Sequence, residues 1–289
     1  MSEPWFLYAI AATLFYGIIN FTYKTVARRG YSSLKILNIQ ALTVAAIAVF
    51  FTDIFSHPSV ILRMILLYAL LNSFFFAMGT ILKMSALKYI PVNVAVPIGK
   101  LNSVFVIFIG IIFFAETPSI TQGLGIILAM TAVFMLIKPQ KQGIEARNLH
   151  LKGVFFVFLG AVSVAISITV GKIASDKVPN IDYVFFSYFF VAIYTFLTGR
   201  YIMGYRNGKK SLDLRGYLTG VILGTLNISG YLLILKAWAT GPLSLVQAVF
   251  SLAMIISIVL ARIFYREKFT PRNLAAVAIS LIAVYLIKG

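Results

Sequence analysis

Nine stretches of this chain are long, apolar and free of charge: 5–23, 36–52, 64–82, 117–137, 153–171, 183–199, 216–235, 237–261 and 273–287. A tenth, 89–115, is interrupted only by Lys100. Crossing a bilayer as a helix takes about 20 apolar residues, or about 17 at the short end. The last run reaches that length if Arg272 snorkels at its edge. The pattern therefore predicts ten transmembrane helices. The polar stretch 139–152 and a basic loop near 200–215 are the longest connections, and neither is long enough to hold a soluble domain.

The chain also repeats. Residues 86–137 and 237–288 align without a gap at an offset of 151. Ala86-Leu87-Lys88-Tyr89-Ile90-Pro91 falls on Ala237-Trp238-Ala239-Thr240-Gly241-Pro242, and Glu116 falls on Glu267. Earlier segments repeat more weakly: Gly79 meets Gly230 at the same offset, and Lys24 meets Lys172 at 148. Each half holds five spans. Because five is odd, a copied half enters the membrane from the opposite face, which gives inverted repeats about an axis in the membrane plane. The expected fold is an all-α membrane protein of ten transmembrane helices in two inverted five-helix repeats, 1–138 and 153–289, joined by the polar linker 139–152.

Composition agrees. The chain is 61% hydrophobic and 11% charged, with a mean hydropathy of +0.96. Soluble domains carry about 25% charged residues. The net charge of +17 does not point to nucleic acid, because the basic residues lie between apolar runs and form no polar domain. Nineteen of the 25 lysines and arginines fall in the loops after odd-numbered spans, five fall on the other face, and Lys100 is the remaining one. The positive-inside rule then places both termini outside a plasma (inner) membrane. The first run lacks a basic start and a small-residue cleavage site, so it is expected to be a span and not a signal peptide. There is no cysteine, which excludes disulfides and thiolate metal sites.

Lys100 is the sharpest chemical feature. A lysine at a helix centre costs about 2.5–3.5 kcal/mol, so it should face a cavity or a partner. Pro97 and Gly99 predict a kink beside it, and Pro91 and Pro242, matched by the repeat, are expected with them to kink or gate the fourth and ninth spans. Helical spacing puts Asn93, Pro97, Lys100 and Ser103 on one stripe. The matched stripe of the second half carries Ser244, Gln247, Ser251 and Met254. Both stripes are expected to meet at the repeat interface, with Lys100 as a cationic anchor for an anionic group. The bland reading is a buried lysine satisfied by carbonyls or amides. All eight acids lie at span ends or in loops, so no mid-membrane carboxylate can pair Lys100 or bind a cation.

Further polar residues point toward a cavity. They are Asn20 on the first span, Asn72 on the third in a stripe with Phe76, Gly79 and Lys83, and Asn227 and Tyr231 on the eighth. Gln40 and Tyr188 are repeat-matched on the second and seventh, and Ser163 and Ser167 lie on the sixth. Taken singly, such residues more often pack helices together than bind a ligand. Trp5 and Trp238 read as interfacial belt residues. Ser119 and Thr270 read as helix N-caps, and Glu116 and Glu267 as acceptors for backbone N–H groups or partners of basic side chains.

The sequence resembles the drug/metabolite transporter superfamily, and specifically its EamA-like members. The carrying pattern is Ala-Leu-x-Tyr, a polar helix, a Glu-Arg/Lys-Leu/Phe-Thr turn and a short last span rich in Gly and Ala. It occurs at 86–137 and again at 237–288. The first turn departs from it at Thr117, and Arg266 stands where a small residue is usual. The resemblance implies a basket of ten helices around a central cavity. The first, third, fourth, sixth, eighth and ninth spans would line it, and the fifth and tenth would brace the bundle. It also implies export or exchange of small metabolites. Lys100 is not part of the resemblance.

The expected function is secondary transport of a small polar, amino-acid-like or anionic metabolite by alternating access. The expected partners are that substrate and the lipid bilayer, with no nucleic acid, in a chain able to work as a monomer. An enzyme is disfavoured, since His57 and His150 sit at loops and no intramembrane acid pair or cysteine exists. No catalytic residue, metal or cofactor is expected. A lipid-handling flippase or a structural membrane subunit is the alternative.

Overall fold

A computed structural model describes residues 4–53, 57–87, 89, 90, 95, 98–136, 147–202, 212–266 and 270–288. The fold is all-α. The elements are α1 (Pro4–Arg28), α2 (Ser33–Ala48), α3 (Ser59–Ala86), α4 (Leu101–Phe113), α5 (Ile120–Met135), α6 (Arg147–Lys177), α7 (Asn180–Leu197), α8 (Leu214–Thr240), α9 (Leu243–Ser251), α10 (Ala253–Tyr265) and α11 (Pro271–Lys288). A 3₁₀ turn extends α2 and a π turn extends α7. The ninth span is α9 and α10 end to end, so the bundle has ten spans. Eight are long and apolar enough to cross a membrane; α4 and α5 are shorter. α6 begins at Arg147, inside the stretch read as linker, and 139–146 lie outside the described residues.

Several span boundaries differ from the charge-free runs. α8 continues through Lys236 and ends at Thr240. The ammonium of Lys236 lies over the Tyr8 ring at 5.8 Å, so its charge does not break the helix. The stop comes from Gly241-Pro242, which ends one helix and opens the next. Likewise α3 holds Arg63 and Lys83 within its length.

Side-chain caps set several helix starts. Ser119 and Gln122 form a capping box on α5, with Ser119 Oγ accepting from Gln122 N–H at 3.3 Å and Gln122 Oε1 accepting from Ser119 N–H at 3.0 Å. Asp213 Oδ1 accepts from Gly216 N–H at 2.9 Å on α8, and Thr270 Oγ1 accepts from Asn273 N–H at 3.3 Å on α11. Glu116 reaches across the halves. Its Oε2 accepts from Ser244 N–H at 2.8 Å and its Oε1 from Leu243 N–H, which caps α9. Glu267 lies outside the described residues.

The main packings map onto one another when the halves are exchanged. α1 packs on α8 as α6 packs on α3, and α2 packs on α8 as α7 packs on α3. The pairs α2–α7, α5–α11 and α4–α9 each join matched spans. Close approach depends on small residues, because lipid supplies no hydrophobic drive between helices. A Cβ on Gly79 would lie 2.8 Å from Gly160 O, and one on the matched Gly230 would lie 3.0 Å from Phe15 Cβ.

The turn before each glutamate shows the repeat in backbone form. Ala115 has φ 51° and Arg266 has φ 53°, and the two positions match at the offset of 151. Left-handed geometry is costly for a residue with a Cβ, by about 1–2 kcal/mol. Both copies carry it at one place.

Candidate functional site: a central cavity between the halves

One cavity of about 260 Å³ lies where the halves meet. Its walls come from the first, second, third, fourth, sixth, seventh, eighth and ninth spans. The resemblance implied six of these; the second and seventh join through Gln40 and Tyr188. The fifth and tenth spans, α5 and α11, pack on each other outside it.

The breaks in the fourth and ninth spans bring backbone and side chains to this cavity. α4 starts only at Leu101, directly after Lys100. Gly99 precedes that break, while Pro91, Asn93 and Pro97 lie outside the described residues. Pro242 stands at the start of α9. The ninth span breaks at Leu252, the residue matched to Leu101, with no proline or glycine beside it. At this break Val249 O accepts from Leu252 N–H at 3.1 Å, a tightened bond in place of the one from Ala253 in a continuous helix. Side-chain oxygens lie beside it: Ser251 Oγ donates to Ala248 O at 2.7 Å, and Thr13 Oγ1 of α1, which donates to Ala9 O at 2.7 Å, also comes within 3.4 Å of Val249 O. Hydroxyls that back-bond to the ladder loosen it.

Lys100, Ser103, Asn20, Asn72, Asn227, Tyr231, Gln247 and Ser251 all line the cavity. Most are already held by the protein. Gln247 Nε2 donates to Ser103 Oγ at 3.0 Å and ties the fourth span to the ninth. Asn72 Nδ2 donates to Ser167 O at 2.8 Å and to Ser167 Oγ at 3.1 Å. Asn227 Oδ1 accepts from Tyr188 Oη, and Gln40 Oε1 accepts from Tyr23 Oη at 2.5 Å. These bonds fix the walls and leave few groups for a ligand.

Four groups stand apart. Among the described residues, the Lys100 side chain makes no hydrogen bond or salt bridge. Gln247 Oε1, Trp238 Nε1 and Ser187 Oγ are buried without a hydrogen-bond partner, although all three residues line the cavity. A buried polar group left unpaired costs about 1–3 kcal/mol, so such groups mark where a ligand is wanted. The cavity thus offers a cation, an N–H donor, a carbonyl acceptor and the Ser187 hydroxyl, framed by the rings of Tyr16, Phe76, Tyr188, Tyr231 and Phe250. No described carboxylate lines it. Glu116 caps α9, Asp213 caps α8 and accepts from Tyr31, Asp182 meets His57 at 2.8 Å, and Asp176 meets Lys172 at 3.2 Å.

On the face opposite the basic loops, Trp238 lines the cavity, and Trp5, Tyr183, Trp238 and Leu243 are all at most 3% exposed. Trp5 packs against Gly241, where a Cβ would lie 2.4 Å from its ring. Neither tryptophan is therefore a belt residue facing lipid. Toward the basic face, Asn20 is exposed. On α1 it points away from the lipid-facing Leu7, Leu14 and Ile18, so its exposure is to the cavity mouth. Sequence reasoning missed Tyr16, Asn102 and Trp238 as lining residues. Asn102 gave a signal in its place two residues after Lys100; Tyr16 gave none.

Among the described residues no group of histidines and acids could hold a metal ion. The sequence model of the EamA-like transporter family matches residues 3–138 and again 151–289. A solved structure titled "Crystal structure of protein" is similar in fold, with a TM-score of 0.77 at 13% identity, over 96% of this chain and 95% of its own. No curated protein matches the sequence.

Proposed function

The chain belongs to the EamA-like transporter family, and on that premise we propose that it carries a small anionic or zwitterionic metabolite by alternating access, as an exporter or exchanger. It is a multi-pass integral membrane protein. The observation that carries the substrate class is Lys100, a cation on the central cavity with no described counter-ion. A bound carboxylate or phosphate supplies that counter-ion, and the orphaned groups of Trp238 and Gln247 fix the polar remainder of the substrate. The two halves act as inverted repeats, a reading supported by the odd number of spans in each and by packings that interchange with the halves. Rocking one set of packings into its mate opens the cavity to the other face. The breaks at Lys100 and Leu252 are the points where the fourth and ninth spans bend.

Counterflow in proteoliposomes tests the substrate class. Organic anions and amino acids are expected to exchange saturably, and organic cations are not. Exchange of cations alone, or of nothing, overturns the reading.

A further inference from the structure

A second cleft of about 310 Å³ adjoins the central cavity toward the basic face. It shares Lys100 and Asn102 with that cavity and adds Lys83, together with Met84, Leu87, Ala95 and Gly99. We propose that Lys83 and Lys100 form one two-cation site that admits substrates bearing two negative charges, either a phosphate monoester or a dicarboxylate. The proposal rests on the carrier reading above and names its substrate class more narrowly.

The path of Lys83 supports this. The stripe Asn72, Phe76, Gly79, Lys83 runs along α3 from the central cavity to the cleft. Lys83 does not turn outward to lipid headgroups. Its Cγ lies 3.2 Å from where a Cβ on Gly160 would stand, and its Cε lies 3.6 Å from the same point on Gly99. The side chain therefore crosses α6 at one glycine and reaches the fourth span at another, one residue from Lys100. Both lysines line one cleft, and two ammonium groups so placed repel. Among the described residues neither side chain has a hydrogen bond or an ion pair, and no carboxylate lines the cleft. The nearby Lys152 is turned onto the rings of Tyr89 and Phe156, at 5.3 and 5.9 Å. A pair of like charges brought together in a partly apolar cleft is unfavourable unless a dianion lies between them.

The pair also breaks the repeat. The positions matched to Lys83 and Lys100 in the second half are Ile234 and Ser251. Both line the central cavity, and both are neutral. Among the described residues lining the cavity and the cleft, the lysines are therefore contributed by the first half alone.

The test is half-saturation for uptake from the basic face in oriented proteoliposomes, with succinate, glycerol phosphate and propionate as probes. Lys83→Met is expected to raise half-saturation for the dianions by roughly tenfold or more, the size of one lost charge-assisted contact. Propionate should move by less than about twofold. Lys83→Arg should restore most of the dianion affinity, which separates a charge effect from a folding defect. Whichever of succinate and glycerol phosphate loses more identifies the head group. An equal loss for propionate and the dianions, or no loss for any, overturns the two-cation site while leaving the carrier intact. Absence of anion exchange in the wild type overturns the carrier reading itself.

Discussion

Replacing Lys100 by Met abolishes exchange of anionic substrates and leaves the protein folded. Truncating one partner of a desolvated charge pair costs about 2–5 kcal/mol, or roughly thirtyfold to several thousandfold in half-saturation. The usual ambiguity of such a variant is absent here. A mid-membrane lysine costs about 2.5–3.5 kcal/mol, and no described group offsets it. Met removes that cost while filling a similar volume. The variant should therefore melt at the wild-type temperature or above it while losing transport. A variant that melts lower and transports normally assigns Lys100 to the scaffold, satisfied by carbonyls or amides as in the bland reading.

The second large effect belongs to packing. Gly79→Leu should prevent the bundle from assembling. Any Cβ at Gly79 falls 2.7 Å from Val164 Cγ2, 2.8 Å from Gly160 O and 3.3 Å from Val164 N. Two of those atoms are backbone and cannot rotate away. α3 and α6 must separate, and with them the wall that holds Asn72 to Ser167 and positions Lys83. Overpacking costs about 1–3 kcal/mol and occasionally more, and two immovable backbone contacts put this site at the upper end. Size-exclusion profiles in detergent should show aggregate in place of a single species. Gly123→Ala is the control, because its Cβ meets nothing within 4 Å, and it should elute as the wild type does. A monodisperse Gly79→Leu protein would show that the α3–α6 contact does not limit the fold.

Much of this architecture was legible because membranes impose a coarse rule. Each backbone polar group must be paired within its own helix, so spans announce themselves as apolar runs. Ten spans and their division into halves follow from that rule and from the offset of 151. The polar stripes were legible for the same reason, since an amide or a lysine in an apolar run must face protein. What escaped was anything settled by a partner distant in sequence. The break at Leu252 has no proline or glycine to signal it, and its neighbour Thr13 of α1, 3.4 Å from Val249 O, lies 236 residues away. Trp5 and Trp238 read as belt residues from their place near span ends, and only their packing, with Trp5 against Gly241, shows that both are buried in protein. Lys236 ended a run by its charge, while the helix ignored it because an aromatic ring accommodates the ammonium. Lys83 was visible in its stripe, but its meeting with Lys100 depends on glycines contributed by the fourth and sixth spans. The acceptor role of Glu116 was legible from its turn, whereas its target, the start of α9 in the other half, was not.

The central claim is that one cavity serves both faces in turn. Because the chain has no cysteine, a single Ser251→Cys supplies a lone reporter at the break in the ninth span. The measurement is its rate of labelling by a membrane-impermeant thiol reagent added to either side of sealed, oriented proteoliposomes during exchange. Alternating access predicts labelling from both faces, slowed from both by saturating substrate anion. Labelling from one face only, under every condition, contradicts it.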